Sequence, residues 1–483
     1  IKGTRARIIR SFCTTADGGA EADAEASLSA VLSVIDEALA RVPSGVAAAH
    51  VSALAVACFW HSLVGVDAEG RALTPVYGWA DTRAARQAAE LREELDERAT
   101  HARTGCRLHA SYWPAKLRWI RRERGGAWRG VTRWLSFGEL LTLRLCGATA
   151  ASVSMASGTG LFDQRLCDWD APLVKALGLD ARTLPALARE GEQYTLREEF
   201  ASRWPALRGS AIFPAVGDGA ANNVGEGCTT RGRAALMVGT SGAMRVSFEG
   251  EPPAELHEGL WCYRVNRRRV CVGGALSDGG GLYEWMSATF APGGADFAQE
   301  VATLAPDSHG LTLLPFWSGE RSTGWHPFAS GAILGLTAHT RPAEITRAAL
   351  EAVAYCFASI AEALEAHAPG AFVCASGGAL RSSPLWTQVL SDVLGRTLSL
   401  SRVAEASSRG AVLLALEALG AIKSVNEVAS ETDGACTPDA ARQEIYRRGL
   451  ERQRKIYDLL INNQEVARII GEASATSSRT ILK

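Results

Sequence analysis

The sequence predicts an α/β protein built from two large domains. Helical and strand patterns alternate along the chain, which is typical of that class. The 483 residues exceed what a single hydrophobic core usually organises, so two domains are expected. In the second half, glycine-rich turns follow strand patterns, and such turns let a backbone approach a ligand closely. These observations together favour a two-domain, ligand-binding α/β protein.

The first half begins with short elements and ends at an acidic residue. Apolar residues at helical spacing, from Leu28 to Leu39, predict the first helix, and an apolar run after position 51 predicts a strand. A polar, irregular stretch at 191–208 precedes a glycine- and alanine-rich turn that contains Asp218. The predicted elements are a helix at 20–42, a strand at 51–57 and helices at 83–99 and 112–124.

The second half carries the glycine-rich turns. An apolar run at 234–238 ends in Gly-Thr-Ser-Gly and resumes at Ala243, which predicts a tight β-hairpin. Pro342 marks the start of a long helix, because proline is favoured in the first helical turn. The other predicted elements are strand-turn-helix units at 272–285 and 372–383, the long helix at 343–366 and a last helix at 439–460. A boundary at 226–232 divides the chain into domains 1–228 and 229–460, followed by an irregular, Ser/Thr-rich tail at 461–483.

Composition excludes several classes of partner. Lys and Arg total 51 against 52 Asp and Glu, a net charge of −1, so no nucleic-acid partner is expected. The longest apolar stretch, 45–66, is interrupted by His50, His61 and two serines, which argues against a membrane helix. Eleven dispersed cysteines without metal-ligand spacing predict reduced thiols in the cytoplasm. A small-molecule partner is therefore expected.

Asp218 and the hairpin at 234–246 suggest phosphoryl transfer. The hairpin's glycines are expected to leave backbone N–H groups bare, and with the hydroxyls of Thr240 and Ser241 these form a concavity for phosphate oxygens. A carboxylate beside such a cradle can accept the proton of a hydroxyl that attacks a phosphate. The plainer alternative is a turn aspartate followed by an ordinary hairpin.

Two further turns indicate a nucleotide pocket. Gly280 and the pair Gly377-Gly378 each lie between a strand pattern and a helix start, whose positive dipole end favours an anionic ligand. The chain contains neither a Gly-x-x-x-x-Gly-Lys loop nor a Rossmann fingerprint. Backbone and hydroxyl groups would then hold the nucleotide, as in the actin-like ATPases. One such turn alone is usually only a tight connection.

Several longer motifs carry a resemblance to a known family. Gly331-Ala-Ile-Leu-Gly-Leu336, followed after seven residues by Glu344-Ile-Thr-Arg-Ala-Ala-Leu-Glu351, is similar to the C-terminal signature of the FGGY carbohydrate kinases. Pro315-Phe-Trp-Ser-Gly-Glu-Arg321, Trp79-Ala-Asp-Thr-Arg83 and Lys116-Leu-Arg-Trp119 resemble other landmarks of that family. The resemblance runs from about residue 6 to 458, and the stretches 154–159, 217–225 and 235–246 are most like its gluconate kinase branch.

The resemblance implies two actin-like (ribonuclease H-like) domains with a catalytic cleft between them, and ATP and Mg²⁺ as cofactors. Asp218 matches the family's catalytic base. The implied nucleotide contacts are Gly239, Thr240, Ser241, Gly242, Gly280, Gly377, Gly378 and Ser382, and the implied sugar contacts are His61, Asp81, Arg83, Tyr112 and Asp218. No side chain is assigned as a metal ligand.

Each sugar-site residue also has a purely structural interpretation. His61 fits an ordinary core or surface histidine, Arg83 fits a simple pair with Asp81, and Tyr112 fits a packing aromatic. Asp278 and Glu284, beside the Gly280 turn, are interpreted as structural or supporting residues.

The beginning of the sequence departs from the family pattern. Family members open with a hairpin whose Asp-x-Gly-Thr-Ser loop is the first phosphate site, whereas residues 1–10 resemble the third strand and Ile1 is not a methionine. Gly3-Thr4 is not that loop. We expect about 20–30 residues to be missing ahead of Ile1, from the length of two strands and a turn. A chain without that loop is expected to bind ATP weakly and to turn over poorly or not at all.

The expected reaction is phosphorylation of the terminal hydroxyl of D-gluconate to 6-phosphogluconate. Another FGGY activity, on xylulose or a related ketose or polyol, stays open, as does a truncated, non-catalytic sugar-binding protein of the same fold. D-gluconate carries a carboxylate, which would be bound by cationic side chains or by neutral hydrogen-bond donors. The candidates are Arg83, Arg107, His109 and Lys116. The sequence leaves a homodimer open.

Overall fold

The structure is a computed structural model, and it describes residues 6–8, 12–42, 51–290, 295–326, 328–463, 465, 466 and 469. Most of the strand predicted at 1–10 and most of the tail at 461–483 lie outside these residues, and the described residues 6–8 are not in a strand. The beginning of the apolar stretch at 45–66 lies outside them as well.

The first half of the chain combines short strands with helices. Its strands are β1 Cys13–Thr14, β2 Ala20–Ala22, β3 Ala53–Leu54, β4 Ala57–Cys58, β5 Val64–Val66, β6 Val76–Tyr77, β7 Arg133–Leu135, β8 Phe162–Asp163, β9 Asp168–Trp169, β10 Ala211–Ile212 and β11 Val216–Gly217. Its helices are α1 Ala24–Ala40, α2 Ala85–Glu94, α3 Glu97–Thr104, α4 Trp113–Glu123, α5 Gly125–Gly130, α6 Phe137–Cys146, α7 Val153–Ser157, α8 Ala171–Ala176, α9 Glu198–Arg203 and α10 Asp218–Gly225.

Two parallel strand pairs bring sequence-distant segments together in this half. Strand β3 runs parallel to β10, and β4 runs parallel to β11. Shortly after β4 the chain reaches His61, and β11 ends immediately before Asp218. Because parallel strands end at the same edge of a sheet, these two residues emerge at a common edge.

Some predicted elements of the first half are divided in the structure. The helix predicted at 20–42 begins only at Ala24, because the Asp23 carboxylate accepts a hydrogen bond from the Ala26 N–H (2.7 Å) and caps the helix there. The helix predicted at 83–99 is two helices, since Asp96 caps a new start at Glu97. The strand predicted at 51–57 is the interrupted pair β3 and β4. The helix predicted at 112–124 is confirmed as α4.

The second half is organised by a large mixed sheet of seven strands in the order β14-β15-β13-β12-β18-β19-β20. Its strands and those of a small neighbouring pair are β12 Arg233–Val238, β13 Gly242–Glu249, β14 Trp261–Arg264, β15 Arg269–Leu276, β16 Thr312–Leu314, β17 Ala332–Leu334, β18 Phe372–Ser376, β19 Leu398–Ser401 and β20 Thr432–Cys436. The helices are α11 Gly280–Phe290, α12 Ala295–Thr303, α13 Pro342–Glu365, α14 Gly378–Ser382, α15 Pro384–Leu394, α16 Ala406–Ala418 and α17 Ala440–Leu460.

The predicted elements of this half are confirmed. The hairpin is β12 and β13, paired antiparallel from Ala234–Val246 to Val238–Gly242. Both strand-turn-helix units are present, as β15 with α11 and β18 with α14, and the two long helices are α13 and α17. Strand β12 runs parallel to β18, so the turns that follow them lie at one edge of the sheet.

Two helices that cross closely connect the halves. Helix α10 follows Asp218, and α16 belongs to the second half. A Cβ on Gly225 would lie 1.9 Å from the Ala406 carbonyl oxygen, and one on Gly410 would lie 1.8 Å from the Ala221 carbonyl oxygen. The crossing therefore depends on glycine in both helices. No helix in the described residues is long and apolar enough to span a bilayer.

Candidate active site

Asp218 lies where β11 passes into α10. The sequence suggested a turn at this point, but Asp218 is the first residue of a helix, where the positive end of the helix dipole favours a carboxylate. Its Oδ1 accepts a hydrogen bond from the Gly219 N–H (2.8 Å), and the residue stays partly exposed. Burial raises the pKa of Asp218, and the charge of Arg245 opposes that rise.

Asp218 is in contact with both halves of the chain. Its carbonyl oxygen accepts a hydrogen bond from the Ser407 hydroxyl (3.1 Å), which belongs to α16. A Cβ on the next residue, Gly219, would lie 2.4 Å from Nη1 of Arg245 on β13. The carboxylate therefore belongs to the boundary between the two halves, close to the strand that leaves the 239–242 turn.

His61 is held in one orientation by two bonds. Its backbone is left-handed (φ 67°), and its Nδ1 hydrogen-bonds to the carbonyl oxygen of Gly158. Nδ1 therefore carries the proton, and Nε2 accepts from Nη2 of Arg321 at 3.2 Å. Burial and the Arg321 charge lower the pKa of His61 well below its ordinary value, so the ring is neutral at pH 7.

Tyr112 lies beside His61 in a wall of aromatic rings. Its hydroxyl is 2.6 Å from the Tyr263 hydroxyl of β14, and its ring centroid is 4.9 Å from that of His61. Trp60 and Trp325 pack against the same group of rings. The structure thus brings Tyr112 and His61 together, and it adds a tyrosine from the other half.

Asp81 and Arg83 form a buried ion network of their own. The guanidinium of Arg83 binds the Asp81 carboxylate and, through Nη2, the Glu21 carboxylate at 2.6 Å. It also lies over the Trp119 ring, 4.6 Å from the centroid. Asp81 further accepts the Ala20 N–H (3.2 Å). Both charges are satisfied within the protein, and their role as sugar contacts stays a prediction.

The other candidate groups for binding a substrate carboxylate also have hydrogen-bond or ion-pair partners within the protein. Lys116 Nζ donates to the carbonyl oxygens of Ser111 (2.6 Å) and His61 (3.2 Å), and burial lowers the pKa of Lys116 to about 7. Arg107 pairs with Glu97 at 2.8 Å. His109 is buried, with Nδ1 3.1 Å from the Ser111 hydroxyl. His109 also packs against the Trp325 ring, 5.3 Å between centroids, so all three groups already have partners within the protein.

Two buried arginines near Asp218 were not selected from the sequence. Arg245 is 4% exposed and Arg321 is 8% exposed, and the Nε of each has no hydrogen-bond partner among the described residues. Arg245 lies within the stretch 235–246 and Arg321 within 315–321, and both stretches resemble parts of the family pattern. Nothing in a linear motif says that Arg321 reaches a histidine 260 positions away.

The three glycine-rich turns converge at one edge of the large sheet. The Gly280 N–H donates to the Gly239 carbonyl oxygen (2.7 Å), and the Gly279 N–H donates to that of Thr240 (2.9 Å). A Cβ on Gly377, at φ 104°, would lie 2.1 Å from the Val238 carbonyl oxygen. Only glycine fits such a contact, so the three turns pack together and form one surface made largely of backbone atoms.

The expectation of bare glycine amides in the hairpin is partly wrong. The Gly239 N–H donates to the Ser241 carbonyl oxygen (2.9 Å), because the turn closes on itself. Within the described part of the chain, the amides of Thr240 and Ser241 have no protein acceptor. Thr240 is exposed and Ser241 partly so, and these two residues present the N–H groups and hydroxyls that suit a phosphate.

The remaining nucleotide-site residues lie around this surface. Gly378 has open space where a Cβ would be, and Ser382 is exposed with its hydroxyl donating to the Ala379 carbonyl oxygen (3.1 Å). Asp278 accepts two hydrogen bonds from Ser318 (2.8 and 2.9 Å), and burial raises the pKa of Asp278 to about 6. Glu284 is exposed. The Asp278 contacts agree with a structural interpretation.

Three side chains in the described residues have the donor atoms of a possible metal site. Asp307, His309 and Glu351 lie close enough to share an ion. The Asp307 carboxylate, however, pairs with Arg452 (2.9 Å), and that of Glu351 pairs with Arg347 (2.7 Å). Arginine partners already compensate both carboxylates, so this trio is a structural ion network.

The fold and this site together define a two-domain phosphotransferase, with a carboxylate at the domain boundary and a glycine-walled surface beside it. Residues 6–225 match the N-terminal domain of the FGGY family of carbohydrate kinases, and residues 234–419 match its C-terminal domain. The chain belongs to the FGGY family of carbohydrate kinases. It has the family's two-domain, actin-like α/β fold and is a phosphotransferase with an alcohol group as acceptor.

Curated relatives and solved structures include more than one activity. The chain is 27% identical to gluconokinase of Bacillus subtilis (strain 168) over 396 residues, 78% of this chain and 76% of the relative. It is 30% identical to xylulose kinase of Escherichia coli (strain K12) over 425 residues, 85% of each chain. The crystal structure of gluconate kinase from Lactobacillus acidophilus superposes with a TM-score of 0.84 at 23% identity, covering 94% of this chain and 92% of the other. The family is thereby shown, and the sugar is left open.

Proposed function

We propose that this kinase transfers the γ-phosphate of ATP to the terminal hydroxyl of D-gluconate, with Asp218 as the general base. The observation that carries the proposal is the position of Asp218, a partly exposed carboxylate that contacts both halves of the chain. The buried cationic groups Arg245 and Arg321 lie nearby and suit an anionic group of the substrates. Similarity to gluconokinases supports the same acceptor.

The chemistry follows from the surroundings of the carboxylate. An ionised Asp218 orients the sugar hydroxyl and takes its proton as the oxygen attacks the γ-phosphorus and the bond to ADP breaks. Because burial raises its pKa, Asp218 is a stronger base than an exposed aspartate. The amides and hydroxyls of Thr240 and Ser241 would bind phosphate oxygens.

Mg²⁺ is proposed to accompany ATP. It supplies charge neutralisation on the phosphates and is usually held by phosphate oxygens, waters and one or two carboxylates. Asp218 fits that requirement, since it is partly exposed and no arginine or lysine forms an ion pair with its carboxylate among the described residues. Asp278 fits less well, because it is buried and each of its oxygens already accepts a hydrogen bond from Ser318.

Replacing the proposed base tests the function. In Asp218→Asn we expect gluconate-dependent ADP release to fall by about 10²–10⁴-fold, because the amide cannot accept the proton. Gluconate affinity, measured by calorimetry without ATP, should change only a few-fold. Asp168→Asn, an exposed carboxylate on β9, serves as the matched control and should keep the parental rate. A variant that releases ADP at a near-parental rate would rule out Asp218 as the base.

A neutral ketose is the second candidate acceptor. Its support is the identity to the xylulose kinase, 30% compared with 27% for the gluconokinase. Comparing kcat/KM for D-gluconate and D-xylulose on the same preparation decides between them. A preference for xylulose would refute the sugar-acid proposal and leave the kinase assignment intact.

A further inference from the structure

Arg245 joins the second half of the chain to the helix that begins with Asp218. It lies on β13, and its Nη2 donates a hydrogen bond to Asn222 Oδ1 of α10 at 2.9 Å. Its carbonyl oxygen accepts a second bond from the same helix, from Asn223 Nδ2 (3.3 Å). Both bonds hold α10 about one turn beyond Asp218, at the boundary between the two halves.

The guanidinium also borders the backbone directly after Asp218. A Cβ on Gly219 would lie 2.4 Å from Nη1 of Arg245 and 2.5 Å from Cζ3 of Trp60, a ring of the aromatic wall. The first turn of α10 therefore lies between a cation of the second half and a ring of the first half. Only 4% of Arg245 and 5% of Trp60 are exposed, so neither side chain can move without leaving a gap in the packing.

Arg245 differs from other buried arginines of this fold. Arg269 pairs with the Glu417 carboxylate at 2.8 Å, and Arg347 pairs with that of Glu351 at 2.7 Å. In the part of the chain that the structure describes, Arg245 has no carboxylate partner, and its Nε has no acceptor. A buried cation without an ion pair costs stability, because its desolvation is not offset. A role beside the proposed base therefore explains Arg245 better than a contribution to stability does.

Strand β13 is also the strand that leaves the hairpin turn of Thr240 and Ser241. It begins at Gly242, where that turn ends, and it is paired with β12 on one side and with β15 on the other. A strand with neighbours on both sides is a rigid element, so the turn and Arg245 keep a fixed separation. Through Arg245, the helix of Asp218 is attached to the same strand as the turn.

We propose that Arg245 is a positioning residue for Asp218: it holds the start of α10 against β13 and so keeps the carboxylate at a fixed distance from the hairpin turn. A reacting group must lie within about 0.5 Å of its productive position, so a helix that shifts would carry an intact base in the wrong place. This inference rests on the proposed role of Asp218 and does not depend on which sugar is the acceptor.

The first test compares Arg245→Met with the parent. Methionine keeps an apolar stem and removes every hydrogen-bond donor of the guanidinium. We expect kcat to fall by about 10²-fold, because a displacement of about 1 Å in a reacting group costs that much. The dissociation constant for the sugar, measured by calorimetry without ATP, should change only a few-fold. An unchanged kcat would overturn the inference, and so would a loss confined to sugar binding.

A double variant tests whether Arg245 acts through Asp218. If it does, adding Arg245→Met to Asp218→Asn should lower kcat little further, because the base that Arg245 positions is already lost. A second loss of about 10²-fold in the double variant would contradict the inference, since Arg245 would then act on the substrates or on the fold independently of Asp218.

Two milder variants keep the inference testable if Arg245→Met does not fold. Arg245→Lys keeps a cation and a donor, so it should retain more of the parental kcat than Arg245→Met. Asn222→Ala removes the acceptor of Nη2, so it should lower kcat and add little to the loss in Arg245→Met. A parental kcat in Asn222→Ala would contradict the proposed attachment of α10.

Arg347→Met is the matched control for the loss of a buried arginine. It breaks a buried ion pair on α13, so it should lower the melting temperature and leave kcat at the parental value. A loss of kcat as large as that in Arg245→Met would show a general effect of destabilisation and would overturn the positioning role.

Hydrogen exchange separates this inference from the kinase proposal, because it needs no turnover. Followed by mass spectrometry, the amides of α10 should exchange faster in Arg245→Met than in the parent, whereas in Arg347→Met they should exchange at the parental rate. Faster exchange in Arg245→Met together with a parent that releases no ADP would refute the kinase proposal alone. Parental exchange of α10 in Arg245→Met would refute the positioning role alone.

Discussion

Gly217, the residue before the proposed base, has a steric role that a single methyl group can test. Its backbone is ordinary (φ −61°), so glycine is not needed there for conformation. An alanine Cβ at this position would lie 2.0 Å from both Cε2 and Nε1 of Trp60. Trp60 is 5% exposed, and its Nε1 donates to the Ser154 carbonyl oxygen (2.8 Å). The ring therefore cannot move away without breaking packing and a hydrogen bond.

The expected cost of Gly217→Ala follows from these contacts. Overpacking a core costs about 1–3 kcal/mol, and losing the indole hydrogen bond costs about 0.5–1.5 kcal/mol, so the variant should lose about 1.5–4.5 kcal/mol of stability. Asp218 is the adjacent residue, and a displacement of about 1 Å in a reacting group lowers the rate about 10²-fold. We therefore expect a lower melting temperature together with a reduced kcat.

Thermal unfolding and gluconate-dependent ADP release measure the two effects. Gly232→Ala is the matched control, because the nearest atom to its Cβ would be 3.9 Å away, and it should leave both quantities unchanged. Adding Trp60→Leu to Gly217→Ala should recover part of the lost stability, since the clashing ring is gone. A Gly217→Ala variant with parental melting temperature and kcat would refute the steric argument.

Two further predictions concern a buried amine and a glycine turn. Burial lowers the pKa of Lys116 from 10.5 to about 7, so between these values the unfolded chain binds more protons and stability rises with pH. The melting temperature of the parent, relative to that of Lys116→Met, should therefore rise between pH 7 and pH 9. A difference between the two melting temperatures that stays constant over this range would contradict the prediction. Gly377→Ala would place a Cβ 2.1 Å from the Val238 carbonyl oxygen at a φ of 104°, which costs about 1–3 kcal/mol of strain. Because this strain distorts the turn, the affinity for ADP, measured by calorimetry, should fall by about 10-fold or more. Gly378→Ala has open space and should bind ADP more tightly than Gly377→Ala.

Local patterns were enough to predict much of the second half and the family. The hairpin around Thr240 and Ser241, the strand-turn-helix units and the long helices follow from short-range apolar periodicity and glycine turns, and the structure confirms them. The boundaries in the first half were less predictable. Asp23 and Asp96 accept hydrogen bonds from backbone N–H groups and begin helices inside stretches that periodicity alone treats as continuous.

The partners of charged side chains were beyond the reach of the sequence. Asp81 and Arg83 lie two positions apart, and the structure adds Glu21 as a third member of their network. Lys116 is turned toward two carbonyl oxygens rather than toward a ligand carboxylate. Burial and ion pairing depend on segments that meet only after folding, so a motif cannot say which cation is left without a partner.

By itself, the sequence determined the α/β class, the family resemblance and Asp218 as the proposed base, because these rest on motifs whose residues are neighbours in the chain. Only the tertiary structure brought Arg321 to His61, across 260 positions, and closed the hairpin turn so that Thr240 and Ser241 rather than Gly239 present free amides. The physical reason is that the charge and hydrogen-bonding capacity of a group are settled by what surrounds it in the folded state. Which buried cation lacks a carboxylate partner among the described residues, as Arg321 does, is therefore decided only by folding.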